Sequence, residues 1–101
     1  MAKRLGIVVS SNKHLDKIKK LCQAAQKKDV EVTVFFTHLG TLVTQDPAFI
    51  ELEGLAHLSL CNVGFESHGL KRPVPGVSDK DYATQARHGE MLEDCERCVY
   101  F

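Results

Sequence analysis

Two apolar runs of strand length bracket a segment of helical period near the start of this chain, and that alternation leaves few folds open. Leu5-Gly6-Ile7-Val8-Val9 is continuously apolar, as expected of a strand buried on both faces. Ser10-Ser11-Asn12 then supplies candidate helix N-caps. From His14 to Lys28, the residues Leu15, Ile18, Leu21, Cys22 and Ala25 recur at helical spacing with lysines opposite them, which makes Cys22 a core residue. Val30-Glu31-Val32-Thr33-Val34-Phe35-Phe36 follows, rich in β-branched and aromatic residues, and is the clearest strand.

The remainder continues the alternation. Residues 39–53 predict a short helical or irregular crossover broken at Asp46-Pro47. A third strand is expected at 55–61 and a short helix from there to Leu70, with Gly69-Leu70 as its C-cap. Lys71 to Ser78, with Pro73, Pro75 and Gly76, reads as a loop. Asp79 to Asp94 reads as a polar helix with Tyr82, Ala86, Gly89 and Leu92 turned inward, and Cys98-Val99-Tyr100-Phe101 as a last strand. Strands alternating with helices predict an α/β fold. The expectation is one domain over residues 1–101, a three-layer sandwich with a mostly parallel sheet of four to five strands and helices on both faces.

Composition narrows the function classes. The 101 residues are 44% hydrophobic with 26% charged, which suits a globular domain. No run approaches the roughly 20 apolar residues of a transmembrane helix, and the N-terminus lacks a leader pattern, so a cytoplasmic protein is expected. The zero net charge conceals an asymmetry. Residues 1–28 carry eight Lys or Arg against the single acid Asp16. No aromatic interleaving or nucleic-acid motif accompanies these lysines, so a nucleic-acid partner is not expected.

In a parallel sheet, ligands sit beyond the carboxyl ends of the strands. The residues at those ends are Ser10-Ser11-Asn12, Thr37-His38 and Cys61-Asn62. Cys61, at a strand-to-helix junction, is where a thiol can be poised as the thiolate that attacks or carries sulfur. Ser10, Ser11, Asn12, Thr37, His38 and Asn62 form its candidate supporting rim. Among the histidines, His38 is the best placed partner. His57 shares the strand face but lies roughly 13 Å back by strand rise, and His68 falls two helical turns on, while Glu66 opposes a thiolate.

Other motifs are weaker. Ser10-Ser11-Asn12-Lys13 matches no phosphate loop, and no serine occupies a nucleophile elbow. Cys95-Glu96-Arg97-Cys98 is a CxxC and a candidate redox pair, but Cys95 stands at a helix end instead of the helix start that activates such thiols. Its spacing to His88 and the other cysteines fits no zinc module, so no metal is expected.

The strand Leu55–Leu60 ending in Cys61, the following Asn62-Val63-Gly64-Phe65-Glu66-Ser67-His68-Gly69-Leu70 and the terminal Cys98-Val99-Tyr100-Phe101 resemble the DsrE/DsrF-like (YchN-like) family of small sulfur-relay proteins. The resemblance implies a persulfide carrier in which Cys61 accepts sulfane sulfur from a protein donor and passes it to an acceptor thiol. It also implies a homo-oligomer, trimer or hexamer, and no organic cofactor. The chain departs from the family in having no Lys or Arg from Asn62 to Gly69 and in carrying Cys95 and Cys98.

Three expectations therefore stand. The first is a sulfur carrier on Cys61. The second is a non-catalytic binding or assembly domain with Cys61 incidental, and the third a thiol–disulfide protein using Cys95 and Cys98.

Overall fold

The computed structural model describes residues 3–71, 74 and 76–101. Pro73 and Pro75 of the expected loop lie outside the described residues. Five parallel strands form one sheet: β1 (Lys3–Val9), β2 (Val30–Phe36), β3 (His57–Cys61), β4 (Tyr82–Ala83) and β5 (Arg97–Tyr100). Their spatial order is β4-β3-β2-β1-β5. The chain steps outward from β1 to β4, then doubles back so that β5 adds to the other side of β1.

That reversal determines the layers. Right-handed crossovers running one way place their helices on one face, and the returning crossover lands on the other. On the first face, α1 (Leu15–Lys27), two 3₁₀ segments (His38–Gln45 and Pro47–Leu52) and α2 (Asn62–Ser67) cover the larger core. Ile7, Val9, Val34, Phe36, Leu58 and Leu60 alternate onto that face and meet Ile18, Cys22, Phe49 and Phe65. On the second face, α3 (Ala86–Asp94) covers a smaller cluster of Val8, Phe35, Cys61 and Met91. The result is the expected single-domain three-layer α/β sandwich. Phe36 packs edge-on against Phe49 at 5.4 Å and Phe65 against Tyr82 at 5.6 Å, which ties the crossovers to the sheet.

Three local expectations are corrected. The N-cap of α1 is His14, not the Ser10–Asn12 stretch; the Ser11 hydroxyl accepts from the Lys13 amide in a tight turn instead. The helix expected over 79–94 starts only at Ala86. Before it, a 3₁₀ turn (Asp79–Asp81) leads into β4, because Tyr82 is drawn into the core and its hydroxyl accepts the Val74 amide at 2.8 Å. Met91, not Ala86, Gly89 or Leu92, is the inward residue of α3, and Leu92 is exposed. The break at Asp46-Pro47 is present: the Asp46 carboxylate accepts from the Ala48 amide at 2.9 Å and caps the second 3₁₀ segment.

Candidate functional site

Cys61 ends β3 and is the residue from which α2 starts, with φ −80° and ψ 113°. Alternation along β3 sends Leu58 and Leu60 to the larger core and Cys61 to the opposite face, beside Phe35 and Met91. The residue is 5% exposed. It lines a cleft of about 340 Å³ with Thr37, His38, Val63, Gly64, Thr84 and Gln85.

Each wall has a local cause. Thr37 follows β2 and is fixed by its amide, which donates to the Val9 carbonyl at 2.8 Å. His38 then takes φ 51°, a left-handed conformation uncommon outside glycine, and turns the chain into the 3₁₀ crossover. Gly40 makes this turn feasible: its amide donates to the Thr37 carbonyl at 2.8 Å, and a Cβ on it would run into the Val9 carbonyl. On the far wall, the Gln85 side-chain amide donates to the Thr37 hydroxyl at 2.7 Å, joining the start of α3 to the end of β2.

The rim expected from the sequence divides in two. Thr37 and His38 do meet Cys61 in one cleft. Ser10, Ser11 and Asn12 do not line it. The Ser10 amide and hydroxyl both donate to the Phe101 carbonyl, at 2.8 and 3.2 Å, on the β5 side of the sheet. Asn12 lines a different groove, beside Lys13, Asp16 and Glu51. Asn62 adjoins Cys61 in sequence, but its side-chain amide donates to the Glu66 carboxylate at 2.9 Å.

Of the other histidines, His57 is held by Asp81 at 2.9 Å, and His68 Nδ1 donates to the Gly64 carbonyl at 2.8 Å. Neither residue lines the Cys61 cleft.

Sequence reasoning missed a charged cluster on the α3 face. The Asp81 side chain is 5% exposed, and its carboxylate accepts from His57 Nε2 at 2.9 Å and Arg87 Nη1 at 3.0 Å. These residues line a second cleft of about 390 Å³ with Arg4, Glu31 and Cys95. An acid six residues ahead of an arginine across a turn was the only local sign of it.

The cysteines have separate environments. Cys22 is fully buried on the inner face of α1, and burial pushes its thiol pKa up to about 11. Cys95 is the C-cap of α3 and Cys98 lies in β5. The Cys95 pKa is raised, first by burial and then by neighbouring Cys98 and Asp94, while Arg4 acts the other way. The strand registers put Cys61 one residue beyond the level of Val9, and the Cys95–Cys98 pair over Gly6. Two strand spacings and four residues of rise separate them by on the order of 15 Å. The pair therefore does not reach Cys61.

Among the described residues, no three His, Cys, Asp or Glu side chains group as metal ligands. No helix among them is long and apolar enough to cross a membrane. Comparison of the chain with protein-family models, curated proteins and solved structures gives no match.

Proposed function

We propose that the protein carries sulfane sulfur as a persulfide on Cys61. The observation that supports this most is the cleft itself. A free thiol lies at the carboxyl rim of a parallel sheet, and hydroxyl, amide and imidazole groups line the space around it. In this reading the Cys61 thiolate attacks the outer sulfur of a donor persulfide. The donor S–S bond breaks, the donor leaves as a thiolate, and Cys61 holds the outer sulfur. An acceptor thiolate then attacks that sulfur and releases Cys61. No net oxidation occurs, and no organic cofactor is required.

Thr37, His38 and Gln85 are the side chains available to meet the persulfide anion. Because Cys61 is so covered, transfer requires a partner that reaches into the cleft past Val63, which is 71% exposed. With the resemblance to the DsrE/DsrF-like family, this reading makes the protein a cytoplasmic homo-oligomer, a trimer or hexamer, working between a protein donor and acceptor.

The test is incubation of the reduced protein with a sulfane-sulfur donor, followed by intact and peptide mass spectrometry. The expected result is one added sulfur on Cys61, transferable to an acceptor thiol and absent in Cys61→Ser. A folded, reduced protein that gains nothing at Cys61 leaves a non-catalytic binding domain as the better reading.

A second reading uses Cys95 and Cys98, whose sulfurs converge over Gly6. Here the pair gives two electrons and two protons to a partner disulfide, closing a Cys95–Cys98 bond and releasing two partner thiols. The raised Cys95 pKa opposes the opening attack, since a thiolate is required.

A further inference from the structure

Three sulfur-bearing side chains meet over one glycine. A methyl group on Gly6 would lie 3.0 Å from Cys98 Sγ, 3.3 Å from Cys95 Sγ and 3.1 Å from the terminal carbon of Met91. Gly6 is buried in β1, where its register partners are Thr33 on one side and Cys98 on the other. The missing side chain leaves a floor on which the two thiols sit as neighbours. A glycine inside a strand commonly marks such a close approach.

Both thiols are held by regular structure. Cys98 is fixed by the pairing of β5 with β1, and its thiol points to the Met91 carbonyl at 3.9 Å. Cys95 closes α3, its amide donating to that same carbonyl at 2.9 Å. Cys95 also lines the 390 Å³ cleft with Arg4, Glu31, Glu90 and Asp94, which gives an entry path from solvent.

We infer that Cys95 and Cys98 form a two-thiolate site for a soft monovalent cation of the copper(I) type, with the Met91 thioether beside it. The ligand set decides the class of ion. Thiolate and thioether sulfur select soft cations, and a closed-shell monovalent ion is satisfied by two such ligands. Structural zinc takes four, and the described residues offer no third His, Cys, Asp or Glu to the pair. On binding, two S–H bonds are replaced by two metal–sulfur bonds and two protons leave. One net negative charge remains, in a cleft that Arg4 lines together with Cys95. A cation between the two sulfurs cancels one of their two negative charges and so relieves the repulsion among the adjacent thiolates and Asp94.

This site is independent of Cys61, so its test does not depend on sulfur transfer. The reduced protein is titrated anaerobically with copper(I) against a chromogenic copper(I) chelator. Bound copper is counted, and thiolate-to-copper charge-transfer absorption is recorded. The expected result is one copper per chain, retained against the chelator with two protons released. Cys95→Ser and Cys98→Ser should each weaken binding by tenfold or more, with the fold checked by circular dichroism. Cys61→Ser should bind as the unaltered protein does. Complete loss of copper to the chelator from the unaltered chain would overturn the proposal. So would full retention by the Cys95→Ser/Cys98→Ser double variant, or loss of copper by Cys61→Ser.

Discussion

Gln85 Nε2 donates to Thr37 Oγ1 at 2.7 Å, across the wall of the cleft that holds Cys61. The two residues come from the start of α3 and the end of β2, so this bond fastens the cover of the second face to the sheet. Gln85→Ala removes it without touching the core. Cys61 should then react severalfold faster with a small alkylating agent, measured by timed mass spectrometry on the folded protein, while Cys22 remains unmodified.

Gly40→Ala tests the turn behind the same cleft. The added methyl would meet the Val9 carbonyl, a backbone atom that cannot rotate away. Overpacking of this kind costs about 1–3 kcal/mol and more where backbone must move. Chemical denaturation should show a loss of at least about 3 kcal/mol. Gly89→Ala, in open space on α3, should not be destabilising.

Asp81 should be more sensitive to the loss of Arg87 than of His57. The Arg87 side chain is largely covered, whereas that of His57 is half exposed. Arg87→Met leaves a buried carboxylate with one partner and should cost about 2–3 kcal/mol. His57→Ala should cost below about 1 kcal/mol. Parallel urea titrations of the two variants check the order.

Cys22 predicts an alkaline limit. Its thiol is raised from 9.0 to about 11 in the folded chain, so between those values the folded state holds a proton that the unfolded state has lost. The stability from this group is complete below pH 9 and is lost as pH rises toward 11. The decline should amount to roughly 2 kcal/mol. It is read as the difference in pH dependence between the unaltered chain and Cys22→Ala, which should lack that component.

The strands β1, β2 and β3 were legible because their apolar runs are long and their periods clear. The break at Asp46-Pro47 was legible from its turn chemistry. β4 was not, because only two residues form it and distant contacts specify it: Tyr82 takes the Val74 amide and packs on Phe65. The inward face of α3 was misjudged because Met91 is its only buried residue, which gives no stripe to read.

The candidate site was half legible. Parallel strands do bring Thr37, His38 and Cys61 to one rim. Yet Ser10 turns away, because β5 adds beside β1 and the Phe101 carbonyl takes its donors. The meeting of Gly6 with Cys95 and Cys98 joins opposite ends of the chain, and local spacing carries no trace of it. The glycine inside an otherwise unbroken apolar strand was its one available sign.

The unequal covering of the two faces has a consequence for lifetimes. Among the described residues, α3 is the one helix that packs over Val8, Phe35 and Cys61, and Met91 is its one buried side chain there, with His88 stacked on Phe35. Helices with so little burial detach by local unfolding at a lower free energy than the whole domain. Amide hydrogens in α3 should therefore exchange sooner than those of Ile18–Ala25 in α1. Each such excursion would bare Cys61 and part Cys95 from β1 at the same moment, so a single opening equilibrium couples the uncovering of the one thiol to the dismantling of the other's site.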